Sequence, residues 1–194
     1  MSVIDKIVAA VTPPESDKAR REARETAREC AARAPWLATI LDHHLGLEAA
    51  FAKVKAASGG TARTGALKEL CVLLLGHAQA EEVVVYPAMT EAGETGRSGM
   101  GYQEQATVKV EMAMLEGLDP ASEDFDDKLE HIRGAVAHHM YQEEGTWFPI
   151  VVEEATPADQ EKISRRYNEE YERYVGGAES RSAMNFGGTA SSAL

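Results

Sequence analysis

The stretch HAQAEEVVVYP at residues 77–87 has a counterpart in HMYQEEGTWFP at residues 139–149. Both read His, three residues, Glu-Glu, three residues, an aromatic residue and Pro, although the residues at the other positions differ. Each copy lies in a long segment whose apolar residues recur with helical spacing. A frame that is repeated in this way predicts a duplicated, helix-based architecture.

Nearly all of the chain is predicted to be helical. No sustained period-two alternation occurs, and Ala, Leu, Glu, Lys and Arg dominate the periodic segments. Four long helices are predicted, separated by Gly-rich or Pro-containing stretches, at about 35–57, 66–92, 102–118 and 125–154. The predicted fold is therefore all-α, an antiparallel up-down four-helix bundle with extra N- and C-terminal helices.

The same patterns divide the chain into four parts. We predict an N-terminal helical extension (1–34), the four-helix bundle (35–154), a C-terminal helix (155–175) and a flexible tail rich in Gly, Ser and Ala (176–194). Thr156 is the predicted N-cap of the C-terminal helix, with Pro157 at its first position. The two extra helices could supply the interface of a homodimer.

Composition narrows the range of functions. The chain has 20 Lys and Arg against 32 Asp and Glu, a formal net charge of −12. This balance argues against nucleic acid or an anionic membrane surface as the main partner. The two cysteines form no CxxC motif, no signal peptide is evident, and the apolar run CVLLLG is too short to span a membrane. We expect a cytoplasmic protein.

The repeated frame pairs an imidazole with a carboxylate on one helix face. His77 precedes Glu81 by four residues, and His139 precedes Glu143 by four. Residues at this spacing are neighbours on a helix, and the surrounding apolar residues place both pairs on the inward face. A single buried pair of this kind is explained by a hydrogen bond. Two pairs in matching frames need a shared counter-charge, for which a metal ion is the direct solution.

The duplication extends to the other two bundle helices. Apolar residues follow His44 at the third, seventh and tenth positions, and they follow Gln105 at the same offsets. Each half of the chain thus pairs a helix that carries one inward polar residue with a helix that carries HxxxE. Two half-sites are predicted to face each other.

In these positions the sequence resembles the hemerythrin-like, or HHE cation-binding, domain family. That family has a lone His, HxxxE, a second lone His and a second HxxxE on four antiparallel helices, and the resemblance covers about residues 36–152. The matching residues are His44, His77, Glu81, His139 and Glu143. The resemblance implies a non-heme di-iron centre with terminal histidines and bridging glutamates, and hence two irons per chain. One metal, or zinc or manganese, is the alternative. Family members bind or sense dioxygen, handle peroxide or nitric oxide, or store iron.

The sequence departs from the family pattern at Gln105, where the second lone His belongs. Three interpretations remain open. The second metal position is open or filled by water, or another residue replaces the imidazole, with Tyr102 and His138 as candidates, or the site holds one metal. His43 adjoins His44 and would replace it if the register slipped by one residue. The second glutamates of the frames, Glu82 and Glu144, lie about 100° from the inward face and are predicted to be solvated.

Three functions from different classes follow. The first is a protein that binds metal and reacts with or senses dioxygen or peroxide. The second is an oxidoreductase that removes peroxide or nitric oxide, which an open position at Gln105 would favour. The third is a structural bundle that holds zinc or no metal.

Overall fold

The computed structural model describes residues 15–187, with side chains as far as residue 177. In this part of the chain, eight α-helices and two π-helical turns succeed one another: α1 Asp17–Ala31, α2 Pro35–Ala56, α3 Gly60–Ala80, the first π turn Glu81–Val85, α4 Tyr86–Glu91, α5 Thr95–Glu116, α6 Glu123–Gln142, the second π turn Glu143–Trp147, α7 Phe148–Glu154 and α8 Pro157–Gly187. The described residues include no β-strand. The predicted all-α fold is confirmed.

The bundle consists of four long rods. They are α2, α3 with the first π turn and α4, α5, and α6 with the second π turn and α7. Helix α1 packs on α2 and on the second π turn, while α8 lies against α2 and α3. The extra terminal helices are therefore part of the packed structure. No helix within residues 15–187 is both long enough and apolar enough to cross a lipid bilayer.

Local chemistry fixes several helix ends. Pro35 opens α2, where its missing N–H group is of no consequence. The hydroxyl of Ser122 accepts from the amide of Phe125 at 3.2 Å and caps α6. Thr156 caps α8 in the same way, through the amide of Asp159 at 3.3 Å.

Two helices begin earlier than predicted. The stretch before residue 66 was predicted to be a break, yet α3 begins at Gly60. Arg63, in its first turn, donates to the carbonyl oxygens of Val54 and Pro120 and pairs with Asp126. Likewise α5 begins at Thr95 rather than near 102. At the start of α3 these tertiary contacts outweigh the low helix propensity of Gly and Thr.

The boundary predicted at residue 175 is not where the last helix ends, because α8 continues to Gly187. Its Gly and Ser residues tolerate helical dihedrals, although they favour them weakly. The predictions for residues 1–14 and 188–194 lie outside the described residues.

Two apolar clusters fill the interior. One surrounds Trp36, Phe148 and Tyr167, and includes residues of α1 and α8. The other surrounds Phe51 and Phe125 and lies among α2, α3, α5 and α6. The buried His and Glu residues of the repeated frames fall between the two clusters along the two rods that carry them, and they form one buried polar layer.

Candidate metal centre

The polar layer brings together the side chains that the sequence pattern singled out. All of them are buried, the most accessible being 7% exposed: His44, His77, Glu81, Gln105, His139 and Glu143. They come from all four rods of the bundle. Burial of so many ionisable groups is costly unless they neutralise one another or a bound ion.

Four of these residues form what we call the first pocket. The Nε2 atom of His44 lies 3.4 Å from Oε2 of Glu143 and 4.0 Å from Oε1 of Glu81. The Nε2 atom of His77 lies 3.3 Å from Oε1 of Glu81. One ligand atom from each of the four residues fits within a span of 4.8 Å. This is the spacing that a single cation requires of its ligands.

Three atoms of the first pocket have no hydrogen-bond partner in the described structure. They are Nε2 of His44, Oε1 of Glu81 and Oε2 of Glu143. An unpartnered buried polar atom costs about 1–3 kcal/mol, and more when the group is charged. Because the three atoms converge on one point, a cation at that point would satisfy all of them. The residues of the first pocket therefore fit a bound metal ion.

The second pocket lies on the other side of the two glutamates and consists of Tyr86, Gln105 and His139. The Nε2 atom of His139 lies 3.1 Å from Oε1 of Glu143. The hydroxyl of Tyr86 donates to the same oxygen at 3.0 Å and lies 3.0 Å from Nε2 of His139. The amide nitrogen of Gln105 donates to Oε2 of Glu81 at 2.6 Å. Here protein hydrogen bonds already satisfy most of the polar atoms, although Oε1 of Gln105 has no partner among the described residues.

The two glutamates divide their oxygens between the pockets. Glu81 presents Oε1 to the first pocket and Oε2 to Gln105 in the second. Glu143 presents Oε2 to His44 and Oε1 to the second pocket. Carboxylates that face two ways in this manner can bridge two cations.

The π turns explain how Tyr86 reaches the second pocket. Pro87 has no N–H group, and its ring would clash with the carbonyl of an α-helical residue four positions earlier. The helix widens instead, and the amide of Tyr86 donates to the carbonyl of Glu81, five residues back. Tyr86 thereby stands above Glu81, whereas in an α-helix it would lie about 140° away. The second frame repeats this geometry before Pro149.

A glycine on α5 makes room for the tyrosine ring. A Cβ atom on Gly101 would lie 2.8 Å from Cζ of Tyr86, which is closer than real contacts allow. Sequence reasoning missed Tyr86. The available signal was the difference between the two frames, since Tyr86 corresponds to Phe148, and Phe148 packs edge-to-face on Trp36 in the apolar core.

Each pocket histidine is also held through its other ring nitrogen. Nδ1 of His44 lies 2.8 Å from Oε1 of Glu144, and Nδ1 of His77 lies 3.0 Å from the hydroxyl of Tyr167. Nδ1 of His139 lies 2.6 Å from a carboxylate oxygen of Glu104. These contacts orient the rings so that Nε2 faces the pockets.

The prediction that Glu144 is solvated is wrong, because it is only 2% exposed. Arg24 of α1 covers it and binds its carboxylate at 3.0–3.2 Å. Sequence reasoning had no means to detect this contact, since the two residues are 120 positions apart. Its counterpart Glu82 is half-buried and pairs with Lys109 at 2.7 Å.

Three of the less certain candidate ligands lie outside both pockets. Tyr102 is 39% exposed, and its hydroxyl donates to the carbonyl of Glu82 at 2.7 Å. His43 points to the hydroxyl of Tyr167 at 2.9 Å and stacks on an aromatic ring of α8. His138 pairs with Glu15 near the start of α1. The fourth candidate, Gln105, does lie at the site.

In the absence of a metal, protonated histidines balance the negative charge of the buried glutamates. Burial alone would lower the pKa of His44, but the neighbouring carboxylates of Glu143 and Glu144 outweigh it and raise that pKa to about 9. Burial also opposes the charge on His139, yet Glu143 and Glu104 hold its pKa well above the usual range. Both imidazoles are therefore protonated at neutral pH.

The pKa values of the other three groups, Glu81, Glu143 and His77, are also shifted. Burial and the charge of Glu143 raise the pKa of Glu81 well above its ordinary value. Burial would raise the pKa of Glu143 too, but His139 and His44 keep it low. Burial and the charge of His44 lower the pKa of His77. Because ligands must lose their protons to bind a metal, metal uptake would release protons from this layer.

A cavity of about 20 Å³ opens beside the second pocket. Apolar and polar residues line it in equal number: Leu74, Ala78, Val108, Val136 and Met140, and His77, Glu104, Gln105, Lys109 and His139. A cavity needs about 10–15 Å³ to hold one water molecule. The space next to the pockets thus admits a molecule of roughly that size.

Comparison with known proteins gives two matches. The profile of the Hemerythrin HHE cation binding domain matches residues 37–151, more than half of the chain. A DNA nickase from Nostoc sp. (strain PCC 7120 / SAG 25.82 / UTEX 2576) is 27% identical over 120 residues, which are 62% of this chain and 32% of the nickase. The chain therefore spans about a third of that relative's length. No solved structure shows a significant match.

Proposed function

The chain belongs to the hemerythrin HHE cation-binding family, and we propose that it holds two iron ions in the paired pockets and reacts with or senses dioxygen or peroxide. The convergence of the unpartnered atoms of His44, Glu81 and Glu143 on one buried point carries this proposal. A structural bundle without metal would leave those atoms with ion-pair contacts of 3.3–4.0 Å and no hydrogen bond.

The residues divide into two ligand sets. His44 and His77 would hold the first ion and His139 the second, while Glu81 and Glu143 would bridge them. The amide oxygen of Gln105 and the hydroxyl oxygen of Tyr86 complete the second set. Imidazole and carboxylate ligands without thiolate suit iron, manganese or zinc, and iron is the metal that the family resemblance implies.

Bound iron would supply redox chemistry between its ferrous and ferric states. The protein's part is to keep the pockets dry and to limit what can enter. Because the cavity beside the second pocket has room for a molecule of about the size of water, a diatomic molecule or peroxide is the largest ligand that we expect there.

A specific observation favours the second candidate, an oxidoreductase that removes peroxide or nitric oxide. Burial and the charges of Glu143 and Glu81 raise the pKa of Tyr86, so that its hydroxyl keeps its proton at the second pocket. A buried O–H group at the second pocket can donate to a small ligand that binds there.

DNA nicking is not carried over to this chain. The nickase extends well beyond the matched region, and a net charge of −12 opposes the phosphate backbone.

Iron stoichiometry tests the proposal. We expect close to two irons per chain after anaerobic loading with ferrous iron and desalting, and a loss of iron in His139→Ala. Addition of oxygen or peroxide to the loaded protein should then change its visible spectrum. Absence of bound iron in the wild type would overturn the proposal, and zinc retained in its place would support the structural alternative.

A further inference from the structure

The family match covers residues 37–151. Residues outside this range also contact the side chains of the buried polar layer. We infer that the terminal helices α1 and α8 are part of the metal centre, with Arg24 and Tyr167 as positioning residues for the histidines of the first pocket. Docking of α8 is then linked to occupancy of that pocket. The inference rests on the proposed function, since it concerns how the protein holds a metal.

Tyr167 reaches the pocket from α8. Its side chain is fully buried, and its hydroxyl lies 3.0 Å from Nδ1 of His77 and 2.9 Å from Nδ1 of His43. For His77 to offer Nε2 to a metal, its Nδ1 must carry the proton and donate to the tyrosine oxygen. The tyrosine proton then points to His43. This arrangement gives the paired histidines different tasks: His44 faces the pocket and His43 fixes the hydroxyl.

Arg24 plays the corresponding part for α1. It binds the carboxylate of Glu144, which in turn receives Nδ1 of His44 at 2.8 Å. A second carboxylate, that of Glu48, holds the other edge of the guanidinium at 2.8–3.1 Å. Without Arg24, the carboxylate of Glu144 would lose the guanidinium that fixes its position, and His44 would lose the fixed contact that orients its ring.

Glycines allow both helices to approach closely. A Cβ atom on Gly145 would lie 3.1 Å from Cβ of Ala23, one residue before Arg24. A Cβ atom on Gly76 would lie 2.8 Å from Cγ2 of Val175 of α8. The close contacts lie beside Glu144 and His77. They therefore allow α1 and α8 to come near enough to support His44 and His77.

The support is confined to one pocket. His139 of the second pocket is held by Glu104 of α5, inside the family domain. Among residues 15–177, α8 contacts His77 through Tyr167, and α1 supports His44 through Arg24 and Glu144, so both helices support the first pocket. Changes in the terminal helices should therefore weaken the first ion selectively.

Zinc binding to the full-length chain tests the positioning roles, since zinc is redox-inert and can be titrated against a chelator. Loss of an outer contact to a ligand histidine typically lowers metal affinity about 10–100-fold. We expect that loss at the tighter site in Tyr167→Phe and in Arg24→Gln. The matched controls are Tyr174→Phe on α8 and Arg28→Gln on α1, which should stay near the wild-type affinity.

Hydrogen exchange of the α8 amides tests the linkage. By reciprocity, an ion that binds more tightly when α8 is docked must also favour docking. Zinc should therefore slow exchange along α8 in the wild type, and this zinc-dependent difference should shrink in Tyr167→Phe. If Tyr167 were only a packing residue, exchange would rise equally with and without zinc.

The outcomes separate the two proposals. Wild-type protein that binds zinc, with Tyr167→Phe and Arg24→Gln matching their controls in affinity and exchange, would overturn the inference and leave the metal site intact. Wild-type protein that binds neither zinc nor iron would overturn the proposed function, and the inference with it.

Discussion

The two pockets come from the same duplicated frame but differ in how their polar atoms are satisfied. In the first pocket, the ligand atoms of His44, Glu81 and Glu143 have no hydrogen-bond partner among the described residues. In the second, the hydroxyl of Tyr86 and the amide of Gln105 bond the carboxylates directly. The polar atoms of the first pocket thus need a cation as their partner. In the second pocket, protein groups already serve as partners for some of the polar atoms.

This difference teaches that a repeated ligand pattern does not guarantee two equal sites. A metal ion that enters the first pocket removes the cost of unpartnered atoms, whereas one that enters the second must displace existing hydrogen bonds. We therefore expect stepwise loading, with the first pocket filled at lower metal concentration.

The largest effect is expected from His77→Ala. It removes a ligand of the first pocket outright, which should cost more than the roughly 100-fold upper limit for outer contacts. Titration with ferrous iron under anaerobic conditions should then show loss of the tight step. The weak step should persist at reduced affinity, because the bridging glutamates remain.

His138→Ala is the matched control, since this imidazole pairs with Glu15 outside both pockets. It should retain both steps. A tight step that survives in His77→Ala and disappears in His139→Ala would reverse the order of the pockets.

A smaller effect is expected from Gln105→His, which makes the second pocket more like the first. Imidazole is a better iron ligand than a carboxamide oxygen, and the substitution also removes the hydrogen bond to Oε2 of Glu81. We expect the weak step to tighten about tenfold, equivalent to about 1.4 kcal/mol. The measurement is the separation between the two steps of the ferrous titration.

Gln103→His, on the solvent-facing side of the same helix, controls for an added imidazole. An unchanged weak step in Gln105→His would mean that residue 105 does not face the second ion.

Much of the fold and part of the site follow from the sequence because they depend on local periodicity. The spacing of His77 and Glu81 places them on one face of any α-helix, and apolar neighbours turn that face inward. Pro35 and Thr156 mark helix starts through their own chemistry. These signals are carried by neighbouring residues, so the helix order and the histidines and glutamates of the two pockets could be predicted.

The rest depends on departures from α-helical geometry and on distant contacts. Tyr86 was missed because the π turn rotates it onto the inward face, which α-helical counting does not anticipate. Glu144 was misplaced because its partner Arg24 lies on α1, far away in the chain. Tyr102 is a candidate to replace the missing imidazole because it lies one turn before Gln105 on the same helix face, yet Gly101 beside it admits the ring of Tyr86 instead.

The smallest effect is expected from Tyr86→Phe, which gives the second pocket the residue found at the matching position of the other frame. The substitution removes the hydroxyl from Oε1 of Glu143 and Nε2 of His139, but these two atoms still contact each other at 3.1 Å. The metal-free protein should therefore lose only about 1 kcal/mol of unfolding free energy, measured by urea denaturation. Ser98→Ala, which removes a buried hydroxyl bound to the Tyr86 carbonyl, controls for the general cost of a lost hydrogen bond.

The metal-loaded protein makes this prediction specific to the pocket. If the tyrosine oxygen is a ligand of the second ion, Tyr86→Phe should lower the affinity of the weak step and shift the visible absorption of the ferric form, while Ser98→Ala changes neither. If the hydroxyl instead serves as a proton donor beside the ion, the affinity should hold and the reaction with peroxide should slow. If Tyr86→Phe changes neither the affinity, nor the spectrum, nor the reaction with peroxide, then Tyr86 only fills the space that Gly101 leaves. The second pocket would in that case differ from the first at Gln105 alone.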